Sequence, residues 1–222
     1  MTRLLGVLAA LVLVLAPTPA SAEPNDVMTA TLVRHGQTQA NVDGIVDTAI
    51  PGAPLTPLGE TQAKAAAQRL APNEYDAVFA SPLLRTRQTA QYLADELGQP
   101  VRIDDGLREV EGGDAEGRPG EEAVGMLDAI TAWMQGDRSA RIPGSIDGNE
   151  LDARFDSALQ DIAAGGYTNP VVFSHGAAIM AWTMMNVDNP PAKAPGLDNT
   201  GYVVVRGNPN TGWTLVDWVP QP

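Results

Sequence analysis

The sequence predicts a three-layer α/β/α sandwich around a mostly parallel sheet, and three observations predict it. Short apolar runs rich in β-branched residues alternate with segments of helical period. Segments of helical period open on a cap residue followed by proline. Two of the apolar runs, Thr31-Leu32-Val33-Arg34 and Val171-Val172-Phe173-Ser174, each lead into a His-Gly pair. The chain has 2 histidines and 22 glycines in 222 residues. Chance would place both histidines before a glycine about one time in a hundred.

Glu23 to Met28 is polar and reads as a loose N-terminal arm, and Thr29 to Arg34 as the first strand. Asn41 to Pro54 carries glycine and proline without apolar periodicity, so it is expected to be a loop. Thr56 is an N-cap with Pro57 at the first helical position and Glu60 in the first turn. Ala63, Ala66, Ala67 and Leu70 make the buried stripe, and Pro72 stops the helix. Tyr75 to Ala80 reads as the second strand. Ser81-Pro82 repeats the cap-then-proline signature for a helix running to about Leu97, ended by Gly98 and Pro100.

Val101 to Ile103 is a short third strand, and Asp104 to Glu122 an acidic, glycine-rich loop. A helix over Glu121 to Gln135 is expected to bury Val124, Leu127, Ile130 and Met134; another, Asn149 to Ala164, Leu151, Phe155, Leu159 and Ile162. Arg138 to Gly148 links them as a loop. Val171 to Ser174 is the fourth strand, followed by a helix from Gly176 to about Val187 and a proline-rich surface loop, Pro190 to Pro195. Gly201 to Arg206 and Trp213 to Val219 form a closing hairpin. Open α/β sheets bind ligands beyond the carboxyl ends of their strands, so the two His-Gly pairs can face one site.

The first 22 residues stand apart. Arg3, the apolar run Leu4 to Leu15 and Ala20-Ser21-Ala22 have the order of a cleavable secretory signal peptide. The run is too short for the ~20 residues of a membrane span, which weighs against an uncleaved anchor and against stable membrane insertion after cleavage. Cleavage would leave a single domain from residue 23 to 222, located outside the cell, in the periplasm or in the cell envelope. The net charge of −13 argues against nucleic-acid partners. Without cysteine there is no disulfide, thiolate nucleophile or lipid-modified N-terminus. Neither histidine sits in a metal-ligand spacing, so no metal or other cofactor is expected. The patterning sets no oligomeric state.

His35 and His175 are the candidate reactive groups. Gly36 and Gly176 lack a Cβ, which allows close approach of a ligand, and Gly176 also opens a helix whose free N–H groups suit an oxyanion. Arg34 adjoins His35. Arg85 lies in the first turn of a helix, where a cation opposes the dipole and is better explained by anion binding. Two histidines, two arginines and a helix N-terminus describe a phosphoryl pocket, and a small phosphorylated molecule is the expected partner. Release of an alkoxide needs a proton donor. Leu107 to Gly117 is crowded with carboxylates, and like charges there favour a protonated acid. Spacing leaves Glu109, Glu111, Asp114 and Glu116 as equal candidates.

These motifs, in order, resemble those of the histidine phosphatase superfamily, phosphoglycerate mutase-like branch. Arg34 to Asn41 is similar to its RHGxTxxN, Leu55 to Gly59 to its LTxxG, and Ser81 to Ala90 to its SxLxRxxxTA. Leu107 to Gly117 is similar to its LxExxxGxxEG, and Ser174-His175-Gly176 to its second-histidine motif. The resemblance implies His35 as nucleophile and Glu109 as proton donor and acceptor. It implies Arg34, Arg85 and His175 as phosphate clamps, with added hydrogen bonds from Thr38 and Asn41. The reaction implied is metal-independent hydrolysis of a phosphate ester through a phosphohistidine. Phosphoglycerate mutase-type transfer and a weakly active phosphate-ligand binding protein are the alternatives. Gly112 and Ala115 depart from the family in standing where aromatics are common.

Overall fold

A computed structural model describes residues 27–221. The expected signal peptide lies outside the described residues. The six strands are β1 (Met28–Arg34), β2 (Ala77–Ala80), β3 (Val101–Ile103), β4 (Pro170–Ser174), β5 (Tyr202–Asn208) and β6 (Gly212–Val219). They form one mixed sheet of order β3-β2-β4-β1-β5-β6. The run β3-β2-β4-β1 is parallel, while β5 and β6 join antiparallel. The helices are α1 (Gln39–Asp43), α2 (Pro57–Leu70), α3 (Leu84–Leu97), α4 (Val124–Met134), α5 (Gly148–Ala164) and α6 (Gly176–Asn186).

Side-chain alternation along the strands feeds two cores, one on each face of the sheet. Leu32, Val172 and Val203 point into the larger core, which holds residues of α4, α5 and α6. Val33, Val78 and Phe173 point into the smaller one, under α2 and α3. This is the three-layer sandwich expected.

The register brings the two histidine motifs together. β1 and β4 are parallel neighbours in which Arg34 pairs with Ser174, so His35 and His175 leave the sheet side by side. β2 pairs with β4 on its other side, with Ala80 opposite Phe173, which brings Ser81 beside them.

Three local expectations are corrected. The segment 41–54 is not wholly loop. Thr38 caps α1 through a reciprocal box with Asn41, a short turn the apolar period does not register. Ser81 does not cap α3. The helix starts at Leu84 after Leu83, and the Ser81 hydroxyl turns instead to His175 and Thr86. α4 buries Met126, Ala129, Ile130 and Trp133, while Val124 and Leu127 are 57% and 54% exposed. Its sequence is apolar on nearly every side, so period alone does not choose the buried face.

Candidate active site

His35 is 3% exposed and His175 fully buried, with ring centroids 5.2 Å apart. His35 Nδ1 lies 2.7 Å from the Gly36 carbonyl oxygen. A carbonyl only accepts, so this nitrogen carries the hydrogen and Nε2 keeps its lone pair. Nε2 accepts from Arg85 Nε at 3.0 Å. Burial, then Arg85, then Arg34 push the His35 pKa well below 6.5, so the ring is neutral at ordinary pH.

The tautomer of His175 follows from its neighbours. Thr86 Oγ1 donates to the Leu83 carbonyl at 2.7 Å, so Ser81 Oγ, 2.8 Å away, donates to Thr86. Ser81 Oγ can then accept from His175 Nε2 at 2.8 Å. His175 Nδ1 remains buried without a partner, and Arg34 Nε shares that condition. Burial, Arg85 and His35 hold His175 well below 6.5 as well.

Both arginines are anchored. Arg85 reaches Asp47 Oδ2 at 3.3 Å and the Asp47 carbonyl at 2.8 Å. Arg34 donates to the Leu197 carbonyl at 2.6 Å. Burial lowers the pKa of each and Glu109 opposes the shift, but a guanidinium stays charged. His35, Arg34, Arg85, Glu109, Thr38 and Asn41 line one cleft. Thr38 Oγ1 and Asn41 Oδ1 accept from each other's backbone N–H, which leaves their donor sides for a ligand.

The acidic loop sorts itself out in three dimensions. Glu111 turns to Arg108 and Arg154, and Glu116 holds the Thr48 hydroxyl and the Thr48 and Ala49 N–H groups. Of the four candidate acids, Glu109 lines the cleft. The expected crowding of carboxylates around it is therefore replaced by separate partners for Glu109, Glu111 and Glu116.

Two expectations about glycine are corrected. The first N–H groups of α6 do not face an empty anion site: Ala177 and Ala178 donate to the Glu109 carboxylate at 3.3 and 2.8 Å. A Cβ on Gly176 would stand 3.3 Å from Arg34 Nε, so this glycine makes room for the Arg34 side chain rather than a ligand. A Cβ on Gly36 would stand 2.6 Å from the Gly59 carbonyl oxygen. Gly36 thus lets the strand end meet the start of α2.

Sequence reasoning missed Asp47, Ser81 and Arg154. Arg154, on α5, donates to the carbonyls of Gly106, Arg108 and Glu109 and so fixes the loop that presents Glu109. The uncapped start of α3 is the one local sign that the Ser81 hydroxyl is used elsewhere. Nothing local marks Asp47 or Arg154. Among the described residues no cluster of His, Asp or Glu is arranged to hold a metal ion, and no helix is long and apolar enough to cross a membrane.

The arrangement can present a neutral imidazole lone pair to an anion held by two guanidinium groups, with a carboxyl group on the same cleft. The chain is 41% identical over 206 residues to the PE-PGRS family protein PE_PGRS11 of Mycobacterium tuberculosis, covering 84% of this chain. It is 31% identical over 209 residues to 2-carboxy-D-arabinitol-1-phosphatase of Triticum aestivum, covering 93%. It spans little more than a third of each of these relatives, 35% and 39% of their lengths. The structure of a mycobacterial glucosyl-3-phosphoglycerate phosphatase with VO3 superposes with a TM-score of 0.74 at 26% identity, covering 87% of this chain and 100% of that one. The sequence model of the histidine phosphatase superfamily (branch 1) matches residues 30–220, from β1 to just past β6, and the chain belongs to that superfamily.

Proposed function

We propose that this protein is an exported, metal-independent phosphomonoesterase that works through a phosphohistidine at His35. One observation carries the reading. The Gly36 carbonyl fixes the His35 tautomer, so that a neutral Nε2 meets the Arg85 guanidinium beside a second buried histidine. The unpartnered Arg34 Nε and His175 Nδ1 support it, since buried polar groups are ordinarily bonded. An anionic phosphoryl oxygen would accept from Arg34 Nε, and the P–O–H of a monoanionic ester would donate to the His175 Nδ1 lone pair.

In the first step the phosphoryl oxygens take up the Arg85 guanidinium, which frees the Nε2 lone pair. Nε2 attacks phosphorus, the P–O ester bond breaks, and Glu109 gives a proton to the leaving oxygen. In the second step Glu109 removes a proton from water as the water oxygen attacks phosphorus and the P–N bond breaks. Arg34, Arg85 and His175, once its Nδ1 has taken the proton of the bound monoanion, hold the charge on the equatorial oxygens, aided by Thr38 and Asn41. Asp47 and Arg154 set the positions of Arg85 and Glu109.

Rapid quench with 32P-labelled p-nitrophenyl phosphate, in the presence of EDTA, is expected to trap an acid-labile, alkali-stable phosphoenzyme that His35→Ala does not form. Turnover without trapped label, or label retained in the variant, would overturn the covalent route. Loss of all turnover in EDTA would overturn metal independence. Export rests on the residues preceding the domain, and N-terminal sequencing of protein from culture medium or envelope is expected to begin at Glu23.

A further inference from the structure

The cleft that holds His35 and Glu109 contains two cations among its described lining residues, Arg34 and Arg85. Both are committed to the phosphoryl group in the reading above. Its two acidic side chains, Asp47, paired with Arg85, and Glu109, supply no positive charge. Much of the rest of the lining is apolar: Ile45, Val46, Ala123, Met126 and Leu127. Leu127 is 54% exposed, and Val124, one helical turn before it, is 57% exposed. Arg118 lines a neighbouring depression with Asp114 and Glu122 and not this cleft. The cleft encloses about 180 Å³, below the ~300–1,000 Å³ of sites that engulf a drug-sized ligand, so a leaving group larger than the phosphoryl pocket must lie against this rim.

A carboxylate or second phosphate on the leaving group would be desolvated here with no third cation among the described lining residues to meet it. An alkyl or aryl body would instead cover Leu127, Ile45 and Val46, with the buried Ala123 and Met126 beneath, and be stabilised by the area it buries. This sets the chain apart from the two relatives whose names specify a substrate. 2-Carboxy-D-arabinitol 1-phosphate and glucosyl-3-phosphoglycerate each carry a carboxylate.

We infer that the substrate is the phosphate monoester of an uncharged, predominantly apolar alcohol or phenol, seated against the wall formed by Ile45, Val46, Ala123, Met126 and Leu127. The inference rests on the phosphatase reading and fails separately from it. The test compares hexyl phosphate with 6-phosphooxyhexanoate, which share a chain and a primary-alkoxide leaving group and differ in one terminal carboxylate. Hexyl phosphate is expected to be favoured about 10-fold in kcat/KM, within the range set by one apolar contact in a pocket. Equal or reversed preference would overturn the inference and leave the phosphatase reading standing. No hydrolysis of either ester or of p-nitrophenyl phosphate would overturn both. Leu127→Arg changes an exposed helix position and is expected to fold normally. It should lower the hexyl preference about 3-fold by giving the carboxylate a partner at the rim. An unchanged ratio would remove Leu127 from the wall and overturn the assignment.

Discussion

His35 and His175 stand in nearly the same local sequence, an apolar strand running into His-Gly, and both rings are buried. Their surroundings differ in one chemical respect. His35 Nδ1 faces a carbonyl, which can only accept, so its tautomer is fixed and Nε2 is left as a lone pair. His175 Nε2 faces the Ser81 hydroxyl, which belongs to a chain through Thr86, and its Nδ1 faces no partner. One histidine is built to offer electrons. The other keeps its Nε2 hydrogen on Ser81 and leaves Nδ1 open to take a proton from a bound phosphoryl group, which suits contact with a charged oxygen. Identical motifs thus acquire different roles from the atoms that face the rings.

The contrast can be broken most severely at the histidines themselves. His35→Ala is expected to lower kcat by about 10^4-fold or more, as for loss of a nucleophile. His175→Gln is expected to cost about 10^2–10^3-fold, as for loss of one group that stabilises transition-state charge. The phosphoenzyme should still form in His175→Gln. Equal losses, with no phosphoenzyme in either variant, would erase the distinction.

Ser81→Ala tests whether the hydroxyl positions His175. The expected loss in kcat is about 10- to 100-fold, as for groups that orient metal-bound imidazoles, with little change in KM. Ser81→Thr keeps a hydroxyl and should recover most of the activity. An alanine variant with full kcat, or a threonine variant no better than alanine, would mean that Ser81 fills space only.

The smallest effect is on stability. The fold holds both rings neutral at pH values where an unfolded histidine, near 6.5, takes up a proton. Below that pH the unfolded chain binds more protons, so stability rises with pH and is lost as pH falls from about 6.5 toward the depressed folded values. Thermal unfolding between pH 7 and 5 should show Tm falling with pH, and His175→Gln should reduce that slope. An unaltered slope would mean that the fold does not keep His175 from protonating.

Much of the frame was legible along the chain. Thr56-Pro57 caps α2 as expected, and the stripe Ala63, Ala66, Ala67 and Leu70 is buried, because both signals lie within a few residues of what they specify. The acid was narrowed to Glu109 in the sequence by family resemblance, and the structure brings that residue to the cleft by sending Glu111 and Glu116 to other partners. The buried face of α4 was misread because Val124 and Leu127 are apolar yet stand at an open rim. Ser81 was misread as a cap because its partner, His175, lies 94 positions away.

By itself the sequence determined the strands, most of the helices and the residue types that can hold and attack a phosphoryl group, since apolar period and cap chemistry act over one or two turns. Only the tertiary structure decided which nitrogen of each histidine is free, that Glu109 occupies the N-terminus of α6, and that Asp47 and Arg154 anchor the site. Those outcomes depend on the parallel register of β1 against β4 and on hydrogen bonds whose partners are far apart in the chain. A bond between distant residues leaves no period in either segment, and only folding brings its two ends together.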